Sequence, residues 1–195
     1  MKKILFLVVA AAFMFACSSP SGSEDTAVDK SVELPGEGSR STTSNPLFND
    51  LMIPATGGVF RGISFDMSKA TLLDIETSRS TVDIYQDENQ EEVIVTTDMG
   101  KEILDFADIT YRFDEQGLYS IKVETYAVSL AGATEVFNMV IEKYTKAFGA
   151  PSIADDGFYE FSASDTKSSL KYSIAVKNID DVEDSFGMYM YFNLL

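Results

Sequence analysis

The sequence predicts an α+β domain of two layers, an antiparallel sheet with two helices on one face, built from two strand–helix–strand–strand–strand repeats. Three observations predict it. Several segments alternate apolar and polar residues, as half-buried antiparallel strands do. Two segments carry apolar residues at helical spacing. Laid in order, the elements run through the same series twice.

Three strand–turn–strand signals carry the sheet. "TVDIYQDENQEEVIVTT" sets two β-branched runs around a polar turn at Asp87, Glu88 and Asn89. "DITYRFDEQGLYSIKVETYAV" does the same around Asp114, Glu115, Gln116 and Gly117, with Tyr119, Ile121 and Val123 expected on one face and Ser120, Lys122 and Glu124 on the other. "SLKYSIAVKNIDDVEDSFGMYMYFNLL" has a longer acidic loop. "SKATLLDIETS" reads as a short helix with Ser68 at its N-cap. "ATEVFNMVIEKYTKAFGAP" reads as a longer one, since Val136, Phe137, Val140, Ile141, Tyr144 and Phe148 recur at helical spacing before Gly149 and Pro151 stop it. The first repeat runs from "GVFRGISF" to "ITYRFD" and the second from "LYSIKVETY" to "MYMYFN".

The element order resembles the TATA-binding-protein-like and β-lactamase-inhibitor-like arrangements, which implies a curved sheet with the helices on its convex side. Leu104 to Phe113 looks like the turn-and-strand segment of small envelope lipoproteins of this type, and "KYTKAFGAP" like the helix ending in those proteins. Such motifs are structural punctuation, and likeness of fold is not likeness of function.

The N-terminus supplies an address. Lys2 and Lys3 precede an apolar run from Ile4 to Ala16, too short to span a bilayer and ending in small residues. That is the layout of a secretory signal peptide over residues 1–16. Phe15-Ala16-Cys17-Ser18-Ser19 resembles the lipobox of bacterial lipoproteins, although Met14 and Phe15 depart from its usual residues. The resemblance implies cleavage before Cys17 and acylation of its thiol and new amine, hence a membrane partner through the lipid anchor. Ser18, rather than aspartate, implies the outer membrane, facing the periplasm or the surface. Cys17 is the only cysteine, so no disulfide competes for it.

Residues 17–56 read as a flexible acidic and Ser-rich tether that ends in an extended arm, "NPLFNDLMIPATGG", packed on the domain, with a transient helix as the alternative. Residues 57–195 fit a single domain. A net charge of −16 and the absence of histidine speak against nucleic acid as a partner.

Little here points to catalysis. Without histidine the commonest general base and metal ligand are gone. "SDTK", Ser164 to Lys167, matches the Ser-x-x-Lys pattern of serine–lysine acyl enzymes but lacks its companion motifs, and reads as a polar turn. Two acidic clusters, with Asp87 and Glu91 in one and Asp180 and Asp181 in the other, offer carboxylates for calcium but lack a calcium-loop glycine and spacing, and read as solvated turns. No cofactor is expected. The more informative surface is aromatic: Tyr189 and Tyr191 alternate with Met188, Met190 and Phe192, which sets the tyrosines on the open sheet face if the other set faces the helices. Tyr126, Tyr172 and Tyr159 are expected to join them, either as a binding surface or beneath the arm. The expectation is a non-enzymatic binding or structural module with a protein or small-ligand partner. Its alternatives are an inhibitor or immunity-type protein that captures an enzyme and, last, a carboxylate- or calcium-dependent hydrolase.

Overall fold

The computed structural model of the chain describes residues 46–52, 58–79, 82–87, 91–182 and 185–195. These fall within one compact unit. Cys17 and the tether up to residue 45 lie outside the described residues, as do the side chains of Asp180 and Asp181.

Helices α1 (Pro46–Met52) and α2 (Lys69–Thr77) come first, then β1 (Val82–Gln86), β2 (Glu92–Asp98), β3 (Leu104–Asp114) and β4 (Gly117–Ala127). Helix α3 (Leu130–Phe148) follows, then β5 (Ser152–Ile153), β6 (Tyr159–Ser164), β7 (Lys171–Val182) and β8 (Ser185–Leu194). The strands form one open sheet in the order β1-β2-β3-β4-β8-β7-β6-β5, antiparallel throughout. The class is α+β, and the three expected hairpins are β1–β2, β3–β4 and β7–β8.

Alternation sets the core. Val123 pairs with Met190 and Ile109, and Ile121 with Phe192 and Tyr111, so these side chains share one side of the sheet. Ile174 and Val176 of β7 and Val93 and Val95 of β2 continue that side, and all are buried. A register shift between Arg112 and Phe113 alters the pattern near the β3–β4 turn. There Leu118 is buried and Tyr119, expected beside Ile121 and Val123, is exposed.

Ser68 caps α2 as expected, its hydroxyl accepting from the Thr71 N–H. Ser129 does the same for α3 by accepting from Gly132, so α3 begins earlier than its apolar run. Ala133, Val136, Val140 and Tyr144 form its buried stripe, and Gly149 ends it with a positive φ of 92°.

Two expectations are corrected. The arm is not extended: α1 is a helix whose Leu47, Phe48, Leu51 and Met52 are all buried in the main core. Spacing of i, i+1, i+4 and i+5 gives even this short helix one apolar side. The leading strand of the first repeat is also missing. "GVFRGISF" makes only an isolated Phe60–Ile63 bridge around a tight turn. Positive φ at Arg61 and Gly62 and the Ile63 N–H to Phe60 O bond of 2.8 Å define a type I′ turn. Gly58 packs so close to the Ile63 carbonyl that a Cβ would sit 2.5 Å from its oxygen. The segment therefore folds on itself and adds no strand to the sheet, so the expected strand–helix–strand–strand–strand series is not what the halves show; α2 with β1 to β4 and α3 with β5 to β8 each run one helix and then four strands.

Candidate binding face

The side of the sheet opposite the core carries a row of aromatic rings. Alternation along β4 puts Lys122, Glu124 and Tyr126 there, opposite Tyr191, Tyr189 and Gly187 of β8. Phe106 of β3 pairs with Tyr126, and the two rings stack with centroids 4.3 Å apart and planes 17° from parallel. Tyr189 and Tyr191 have centroids 6.4 Å apart, and Phe158, just before β6, meets Tyr191 edge-on at 5.7 Å. Each of these five residues is partly exposed.

Charged groups around the rings are largely paired with one another. Lys122 Nζ lies 2.9 Å from Glu124 Oε1, 5.3 Å from the Tyr189 ring centre and 5.9 Å from that of Tyr191. Lys177 Nζ stands 5.7 Å over Phe158. Arg112 Nε donates to Glu92 Oε1 at 2.8 Å, and Thr96 Oγ1 to Asp108 Oδ1 at 2.6 Å. Burial raises the Tyr126 phenol above its ordinary pKa, and the carboxylates of Glu124 and Asp108 add to that. The phenol is thus a neutral donor across physiological pH. Flat rings with hydroxyl tips and two ammonium groups suit stacking and hydrogen bonding, which are the contacts of a binding surface.

Of the tyrosines expected on this face, the structure brings together Tyr126, Tyr189 and Tyr191. Tyr172 is a correction: it follows the parity of Ile174 and Val176, is fully buried, and packs against Phe65 at 5.8 Å and Phe192 at 6.5 Å. Burial, with the Asp165 carboxylate second, pushes its phenol up to about 12. Tyr159 also lies on the core side, opposite Val176 and edge-on to Phe137 at 5.5 Å. Phe106 and Phe158 were not singled out in the sequence; the parity of Phe106 with Asp108 and Thr110 was the available signal.

The Ser-x-x-Lys stretch is a turn. Ser164 is exposed at the end of β6, and Lys167 Nζ bonds the Gly62 carbonyl at 3.4 Å. Between them Asp165 is buried and accepts from Ser64 Oγ, from the Lys167 N–H at 2.9 Å and from Ser168 Oγ at 2.8 Å. Burial pushes the Asp165 carboxyl up, but these hydrogen bonds, led by that of Ser64, outweigh it and hold the group below its ordinary value. In the first acidic cluster, Asp87 Oδ1 accepts from the Glu92 N–H at 2.8 Å and Glu91 is exposed. Among the described residues no group of three or more His, Cys, Asp or Glu is placed to hold a metal ion.

A second polar cluster is absent from the sequence reading because its members are far apart in the chain. Glu76 of α2, fully buried, accepts from the Tyr111 hydroxyl at 2.7 Å. Its other oxygen lies 3.5 Å from Arg61 Nη2 and 3.3 Å from Arg79 Nε. Both arginines also approach Asp50 of α1, at 3.4 and 3.7 Å. Burial raises the Asp50 carboxyl above its ordinary value, and Arg61 and Arg79 partly offset that. The cluster fastens α1, α2 and the tight turn to β3.

The face and the cluster thus belong to an open, eight-stranded antiparallel sheet with three helices among the described residues. Compared with protein-family models, with curated proteins and with solved structures, the chain matches none. Among the described residues no helix is long and apolar enough to cross a membrane.

Proposed function

We propose that this chain is a lipid-anchored, non-enzymatic binding module of the bacterial cell envelope, tethered at the outer membrane through acylated Cys17. Its domain is a two-layer one with the helices on the core side of the sheet, and the opposite face holds a protein or small-ligand partner. The contacts of α3 through Phe137 with Tyr159 and Tyr144 with Phe161, and of α2 through Glu76 with Tyr111, support the two-layer reading. One observation carries the binding role: five partly exposed rings share the non-core side of the sheet. Exposed aromatic groups of this kind mark interaction sites more often than solvated surface.

A second reading, that the partner is an enzyme captured and blocked, is favoured by the breadth of the row. It runs over β3, β4 and β8 to the residue before β6, a protein-scale footprint.

Replacing Tyr189 and Tyr191 by Ser tests both readings. The melting temperature is expected to stay nearly unchanged while partner capture weakens. A sharp fall in melting temperature would assign the rings to the core and remove the proposal. Recovery of a hydrolase in stoichiometric amount by the wild type, with its activity lost in the complex, selects the second reading.

A further inference from the structure

The longer free edge of the sheet is β1, and its backbone is set to pair with another strand. The Asp87 N–H donates to the Glu92 carbonyl, and the β1–β2 register runs unbroken from Gln86↔Val93 to Val82↔Thr97. Bonded and non-bonded pairs alternate along an antiparallel ladder. Asp83 and Tyr85 therefore turn their N–H and C=O groups toward β2, and Val82, Ile84 and Gln86 turn theirs outward. Among the described residues nothing pairs with that outer side.

Proteins usually blunt such an edge with a short strand, a proline, a lysine or a bulge. The opposite edge follows that rule, since β5 is only two residues long and directly follows Pro151. β1 has five residues, none of them proline or lysine and only Asp83 charged, and leaves Tyr85 60% exposed.

We infer that β1 pairs antiparallel with β1 of a second copy of this chain, about a two-fold axis at Ile84, joining two sheets into one. In that register Ile84 faces its counterpart and Val82 faces Gln86, so every outward N–H and C=O of β1 is bonded. The neighbouring registers are worse. An axis at Asp83 sets that carboxylate against its own counterpart in a close non-bonded pair, and an axis at Tyr85 sets Asp83 against Asp87. An axis at Ile84 sets Asp83 opposite Tyr85, an acceptor beside a phenol. On the core side, half-buried Ile84 meets its counterpart and half-buried Val82 meets Gln86, and α2 packs on β1. An isologous contact of this kind closes at two copies. A seam of one five-residue strand from each copy is small, so the dimer is expected to be weak, on the order of micromolar.

Sedimentation equilibrium of the full chain in density-matched detergent tests this. The wild type should show a reversible dimer in the micromolar range. Gln86→Pro removes only an outward N–H, so it should leave the melting temperature unchanged and weaken the dimer by about tenfold or more. Tyr85→Glu sets a second carboxylate against Asp83 and should weaken it similarly, and adding Asp83→Lys should restore it. That rescue is specific to the Ile84 axis, and it decides the matter if Gln86→Pro fails to fold. A wild type that stays monomeric, a dimer indifferent to Tyr85→Glu, or a failed rescue by Asp83→Lys would overturn the inference.

Discussion

Glu76 carries the heaviest electrostatic load of any single residue described. Arg61 has its side chain only 3% exposed and its backbone in the left-handed region, and Glu76 and Asp50 together balance its buried charge. Glu76→Ala would leave two buried or half-buried guanidinium groups to share the Asp50 carboxylate and should cost about 3–5 kcal/mol, read by urea unfolding. Tyr111→Phe removes one donor to the same carboxylate and should cost about 1–3 kcal/mol. Asp165 gives a pH signature. Its folded pKa lies below the ordinary carboxylate value, so its contribution is fully present above that value, about 3.9, and is lost as pH falls through the folded value. The stability gap between wild type and Asp165→Asn should thus be constant above that pH and shrink below it. Some of this was legible at the residue scale. Ser68 is a cap because its type and position announce one. Tyr172 was misplaced although Ile174 and Val176, two and four residues on, share its parity and mark it as core. Nothing local announces that Arg61, Glu76 and Tyr111 meet, since only the tertiary fold brings them together.

Among the elements, α1 separates the sequence reading from the structure most clearly. Seven residues cannot hold a helix by themselves in water, so the apolar spacing of Leu47, Phe48, Leu51 and Met52 suggests at most a transient one. Packing supplies the stability: Leu51 is fully buried, and Leu51→Ala should cost about 2–5 kcal/mol. An arm lying loosely on the domain would lose far less. Limited proteolysis of the full chain should accordingly leave a core that retains Pro46–Met52, and a first cut inside α1 would contradict its place in the domain. The hairpins were legible because each strand buries one side only, which imposes alternation on β2 and on most of β4 and β8. The leading strand expected for the first repeat is absent, because "GVFRGISF" has strand-like composition but turns back at Arg61-Gly62 before it can reach the sheet.

For the whole molecule, the proposal joins a lipid tether to a binding face. Cys17→Ser should abolish incorporation of labelled palmitate and release the chain from the membrane fraction; equal labelling of the mutant would end the lipoprotein proposal. The strong negative charge keeps phosphate backbones away and leaves aromatic contact as the main attraction the sheet can offer. Site-directed photo-crosslinking tests the central claim most directly. A benzophenone side chain placed at position 189 or 191 of the full chain, in intact cells, should give one discrete intermolecular adduct. The same probe at Tyr119, exposed at the β3–β4 turn, should give none. Adducts from position 119 alone, or from none of the three, would contradict a partner held on the aromatic face.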